Sequence, residues 1–125
     1  MFNDTREFIA ALRSTGDLIE IEQEVHWDLE LGAISRLACE KDGPAIWFKR
    51  ITDYPGDKTA FANPMATWRR VAVAFGMAPD SSVKDIYAEY ERREGKLIPP
   101  VTVEKALCKE IVRCGKEIDL FELLP

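Results

Sequence analysis

Residues 18–48, LIEIEQEVHWDLELGAISRLACEKDGPAIWF, decide how the rest of the chain is read. Leu18 to Glu22 alternates apolar and acidic side chains, the period of a half-buried strand. Ile19 and Ile21 are therefore expected to face a core, and Glu20 and Glu22 to face water. Asp28 is a candidate N-cap, and Leu31, Ile34, Leu37 and Ala38 keep helical spacing up to the Lys41-Asp42-Gly43 break. That spacing predicts a helix from about Leu29 to Glu40. Beyond Gly43-Pro44, Ala45 to Phe48 is a short apolar run bounded by breakers, which reads as a second strand.

Upstream, Asp4-x-x-Glu7 has the form of a capping box, Phe8, Ile9 and Leu12 share one helical face, and Gly16 supplies the stop. Downstream, Ile51 to Tyr54 leads into a Pro55-Gly56 turn as a hairpin-like excursion, and Thr59 to Ala62 resumes strand character before the Asn63-Pro64 bend. Thr67 caps a helix closed by Gly76, with Trp68, Val71, Ala72 and Phe75 on one face and Arg69 and Arg70 pointing away from it. A further helix begins at Asp80 or Ser81 and runs to about Arg93, with Val83, Ile86, Tyr87 and Tyr90 inward.

Pro99-Pro100 then makes a stiff connector. Val101 to Val103 and Lys109 to Arg113 read as extended, and Gly115 turns the chain into a short amphipathic segment, Asp119 to Leu124, stopped at Pro125. The order helix, strand, helix, strand, strand, helix, helix, strand predicts an α+β fold, a small mixed sheet with helices on one side. Residues 1–98 form the amino-terminal α+β domain in this reading, and 99–125 the connector and its amphipathic end.

Composition narrows the function. At 125 residues, 46% hydrophobic and 31% charged, the chain fits one folded domain. A net charge of −5 with scattered lysines and arginines leaves no basic stripe for a nucleic-acid backbone. The start MFNDTREF lacks the charged and apolar regions of a signal peptide, and no apolar run has the length of a membrane helix, so a cytoplasmic location is expected. Cys39, Cys108 and Cys114 read as free thiols, and with His26 as the single histidine they do not make a zinc set. The seven glycines stand singly, at 16, 32, 43, 56, 76, 95 and 115, which excludes a Gly-rich phosphate cradle.

Two clusters invite a functional reading. In His26-Trp27-Asp28 an imidazole beside a carboxylate has the elements of a proton relay; equally, His26 before a helix start fits a surface residue, with Asp28 as the cap and Trp27 stapling the helix to the core. Arg69-Arg70 fits a solvated helical face, a contact to a partner domain, or an anion contact. Glu89 to Glu94 has the mixed signs of a solvated face.

The ordered residues also resemble a family. Asp4-x-Arg6-Glu7-Phe8-Ile9-x-x-Leu12, Gly16-Asp17-Leu18-x-x-Ile21 and Val25-x-x-Asp28-Leu29-Glu30-Leu31-Gly32-Ala33-Ile34 are similar to the opening of UbiD-type decarboxylases. So are Gly43-Pro44-Ala45-Ile46-x-Phe48, Tyr54-Pro55-Gly56, Ala62-Asn63, the Arg69-Arg70 helix, Pro99-Pro100-Val101 and Asp119-Leu120-Phe121-x-Leu123-Leu124-Pro125, in the expected order. The resemblance implies decarboxylation or carboxylation of aromatic or α,β-unsaturated acids through prenylated FMN, with Mn2+ or Mg2+ and K+ at the cofactor phosphate.

It also implies that this chain precedes a split β-barrel that carries the cofactor and a catalytic Glu-Arg-Glu set. No catalytic, cofactor-binding or metal residue is therefore assigned here, Glu110, Arg113 and Glu122 included. The expected partners are the rest of the same polypeptide, further copies of it and a small aromatic acid. The segment Leu120, Phe121, Leu123 and Leu124 is expected to be an apolar patch that the barrel covers. The alternative is an interaction module or small subunit that docks on a separate catalytic chain.

Overall fold

The computed structural model describes residues 2–54, 56 and 58–123; the expected turn residue Pro55 and the stop at Leu124-Pro125 lie outside the described residues. Helix α1 spans Thr5–Ser14. Asp4 Oδ1 accepts from the Glu7 amide at 2.9 Å, and the Glu7 carboxylate reaches back to the Asn3 amide at 2.8 Å, so the capping box closes one residue earlier than its sequence pattern suggests. Phe8, Ile9 and Leu12 are buried, as their spacing requires. Gly16, at φ +70°, reverses the chain into β1 (Leu18–Val25).

Strand β1 pairs in parallel with β2 (Ala45–Ile51), and β2 pairs antiparallel with β3 (Ala60–Ala62). The three-stranded sheet thus has the order β1-β2-β3. A parallel neighbour requires a crossover, and α2 (Glu30–Glu40) supplies it across one face of the sheet. On that face Val25, Ile46 and Phe48 pack with Ile21, Leu31, Ile34 and Ala38. The opposite face carries α1 and α3 (Trp68–Ala74), where Phe8, Leu12, Ala45 and Val73 meet Leu18 and Phe61. The α+β class holds, but helices cover both faces rather than one side.

Several local expectations change for physical reasons. The hairpin-like excursion after Ile51 forms, with β2 and β3 as its antiparallel arms, but β2 continues through Ile51 and the chain turns immediately, with Ile51 and Tyr54 bridged. Ile19, expected inward, is 49% exposed, because β1 is an edge strand of the sheet and the α2 side chains over this face are themselves only partly buried. Helix α4 (Val83–Glu94) starts after Ser82 rather than at Asp80 or Ser81, since it is the Ser82 hydroxyl that accepts from the Asp85 amide at 3.2 Å. The expected final strand does not form among the described residues. With no neighbouring strand for 101–113, the backbone makes short 3-10 turns at Leu107–Lys109 and Gly115–Glu117, and Val101, Leu107 and Ile111 stay exposed. A four-residue helix, α5 (Leu120–Leu123), follows.

Asp28 does not cap α2. Its amide donates to His26 Nδ1 at 3.0 Å and its carbonyl accepts from the Glu30 amide at 2.8 Å, which closes a γ-turn centred on Leu29. Leu29 is left at φ 63°, ψ −45° and 81% exposed, with no side-chain cap on the helix. A branched aliphatic side chain there holds strain that no packing offsets. Leu29→Val is expected to lower the unfolding free energy by about 1 kcal/mol, whereas Leu29→Gly stays within about 0.5 kcal/mol of the parent or exceeds it. Urea unfolding of the two variants checks this.

Candidate functional site

The buried arginine of α3 organises the most polar part of the interior. Arg70 is 0% exposed, and its Nη1 donates to Asp17 Oδ1 and to the Gly43 carbonyl, each at 2.9 Å. Asp17 precedes β1 and Gly43 lies two residues before β2, so one guanidinium joins the entries of both parallel strands. The Ala45 amide donates to the Asp17 carbonyl at 3.1 Å beside it. Arg70 Nε and Nη2 are buried without an acceptor among the described residues. Arg69 stays on the surface, where Nη2 donates to the Thr15 carbonyl at 3.1 Å and Nε lies 3.6 Å from Asp17.

The solvated arginine pair expected from the sequence is thus corrected for Arg70, whose burial exists only because Asp17 and Gly43 meet it. A signal was present: Arg70 stands three residues before Val73, which is also buried, so the two fall on one helical face. The opposite side of α3 is the less buried one. Trp68, expected inward, is 50% exposed and lies 5.9 Å from the Tyr87 ring.

His26, Trp27 and Asp28 do not assemble a relay. His26 Nδ1 serves as acceptor for the Asp28 amide, and the Glu30 carboxylate takes the His26 amide at 2.8 Å. Trp27 stacks on His26 with centroids 5.5 Å apart, and its Nε1 lies 3.5 Å from Asp53 Oδ2. It points to the β2–β3 turn rather than stapling α2 to the core.

A charged aromatic cluster that the sequence reading did not single out lies on the open part of the sheet. Glu20 accepts from Arg13 Nε at 2.7 Å and pairs with Lys49 at 2.8 Å, and the Lys49 ammonium stands 3.0 Å from the centre of the Trp47 ring. These cations, Arg13 first, hold the Glu20 carboxyl at about 2. The Glu89 carboxyl is likewise held at about 2 by Arg92 and then Arg93, and Arg93 also donates to the Phe75 carbonyl at 2.6 Å, fastening α4 to α3. Between these helices Trp68, Val71, Phe75, Ile86, Tyr87 and Tyr90 line an apolar groove of about 390 Å³. Tyr87 and Tyr90, expected inward, are exposed along it.

Among the described residues no three His, Cys, Asp or Glu side chains converge as a metal site would require, and no helix is long and apolar enough to cross a membrane. The exposed cysteines are free.

Residues 9–90 match the model of the 3-octaprenyl-4-hydroxybenzoate carboxy-lyase N-terminal domain, UbiD_N. The chain belongs to the UbiD family. It is 35% identical to a phenolic acid decarboxylase of Sedimentibacter hydroxybenzoicus over 100% of its own length and 26% of the relative's. With a pyrrole-2-carboxylic acid decarboxylase of Pseudomonas aeruginosa the identity is 33%, over 94% of this chain and 25% of that one. This UbiD chain therefore spans about a quarter of the length of the relatives it matches. Among solved structures, the S. hydroxybenzoicus vanillic acid decarboxylase superposes at 35% identity, with TM-scores of 0.85 in an open form and 0.86 in a closed form, each covering 27% of that chain.

The depressed Glu20 carboxyl sets a pH dependence for this UbiD domain. Its folded value lies below its unfolded value, so its contribution to stability is complete above about pH 4.3 and lost as pH falls toward 2. Glu20→Gln is expected to flatten the acid limb of stability between those pH values while leaving the ion pairs of Glu89 in place. Thermal melts at stepped pH check it, and identical acid limbs in the two proteins would contradict it.

Proposed function

We propose that this chain is the amino-terminal domain of a decarboxylase, or of a carboxylase using the same reaction in reverse, that acts on an aromatic or α,β-unsaturated carboxylic acid through prenylated FMN. The reading rests on likeness along the full chain to decarboxylases of phenolic and heteroaromatic acids, each of which extends well beyond it. In this reading residues 1–98 are the folded body, 99–125 lead into the cofactor-bearing barrel, and the domain alone is inactive. Cytoplasmic location and assembly into a homo-oligomer belong to the same proposal.

A flavin phosphate with Mn2+ or Mg2+ and K+ needs converging oxygen donors and free cations. Among the described residues no such acidic or histidine group gathers, and the buried guanidinium of Arg70 is committed to Asp17 and Gly43. The residues here do not fit that group, and no chemical step is assigned to them. What this domain offers is a rigid body against which the rest of the enzyme orients substrate and excludes water.

The test is made on the full-length protein. Purified with its cofactor, it is expected to show flavin absorbance and to release carbon dioxide from at least one acid in a panel of hydroxybenzoates, cinnamates and pyrrole-2-carboxylate. A full-length protein that binds no flavin and releases none from any of them would overturn the reading.

A further inference from the structure

The segment after α4 reads as a connector, and residues 96–118 are exposed almost throughout. Its far end is nevertheless fastened. The Phe121 ring lies 6.4 Å from Trp27, centroid to centroid. Lys58 Nζ donates to the Glu122 carbonyl, and the same ammonium stands 5.3 Å from the centre of the Tyr54 ring. Asp119 Oδ1 accepts from the amides of Phe121 and Glu122 at 2.9 and 3.2 Å, which orders the start of α5. Arg113 grips the Glu122 carboxylate through both terminal nitrogens, at 2.8 and 3.1 Å.

These contacts join three places far apart in the chain: the loop before α2, the β2–β3 turn and α5. Each contributes a different kind of interaction, an aromatic pair from Trp27, a charge-assisted bond from Lys58 and an internal ion pair from Arg113. Trp27 is in turn held toward the β2–β3 turn by its ring nitrogen near Asp53. An exposed strap with nothing to bury would leave its end free to wander. Here the end is held by an aromatic contact and a charge-assisted hydrogen bond together, and Arg113 braces it from the strap side.

We infer that α5 is a latch that fixes the end of the strap to the sheet domain, through Phe121 on Trp27 and the Glu122 carbonyl on Lys58. The chain then leaves the domain from a set position and direction. For its consequence the inference rests on the reading of this chain as one domain of a longer enzyme: the latch would set how the following domain is presented to this one, in place of a loose tether. The contacts themselves do not depend on that reading.

Hydrogen exchange followed by mass spectrometry on the full-length protein tests it. Amides of residues 119–122 are expected to exchange on the order of tenfold more slowly than an unstructured chain, and Phe121→Ala and Lys58→Glu each to remove most of that protection while β1 and β2 keep theirs. Trp27→Ala should have the effect of Phe121→Ala, and the two together no more than either alone, because they break one contact. Exchange of 119–122 at the unstructured rate in the parent overturns the latch. So does protection that survives both Phe121→Ala and Lys58→Glu, which would mean that something else holds the segment. Neither substrate nor cofactor enters the readout, so a failure of the decarboxylase reading leaves this result to stand or fall by itself.

Discussion

A buried guanidinium cannot be left without a partner, and that constraint shapes this domain. Taking Arg70 out of water is unfavourable by several kcal/mol unless its charge and donors are met. Asp17 meets the charge and the Gly43 carbonyl takes a second bond from the same nitrogen. Both partners lie at the beginnings of parallel strands, so pairing the one Nη1 with both also fixes how β1 and β2 start relative to each other. The apolar clusters on the two faces of the sheet supply most of the driving force. Burial of Leu12, Phe48 and Ala72 is not directional, however, and the ion pair adds the directional element.

With α3 anchored on its Arg70 side, its other side is left for something else. Trp68, Val71 and Phe75 face α4 across the apolar groove, and Arg93 ties the two helices together through the Phe75 carbonyl. On the other end of the sheet, Trp27 and Lys58 receive α5. The chemistry-bearing residue types are spent on holding the body together: the carboxylates of Asp17, Glu20 and Glu89 all answer arginines or lysines. That supports the proposed reading, in which this domain contributes shape and orientation.

Much of this was legible in the sequence wherever the cause is local. The caps at Asp4 and Thr67 and the apolar spacing of Phe8, Ile9 and Leu12 depend on residues within one turn of each other, and they form as written. The resemblance drawn from motifs between Asp4 and Pro125 agrees with the family match over residues 9–90. What escaped depends on partners distant in the chain. Nothing near Arg70 announces Asp17 or Gly43, 53 and 27 residues away. Strand spacing could not say that β1 and β2 run parallel, and so could not put helices on both faces. Asp28 looked like a cap because the competing turn at Leu29 is one that leucine rarely adopts. For 101–113 the extended pattern is real, but a strand needs a neighbour and none is supplied among the described residues.

The claim that one buried ion pair sets the strand entries is tested most directly by a double-mutant cycle, Arg70→Met, Asp17→Asn and both together, followed by urea unfolding. The account predicts that Arg70→Met, which leaves the Asp17 carboxylate with only the surface Arg69 3.6 Å away, loses about 3 kcal/mol. It further predicts that the double variant is more stable than the sum of the single losses allows, by at least about 1 kcal/mol. Losses that add to within about 0.5 kcal/mol would show that the two side chains act independently and would contradict it.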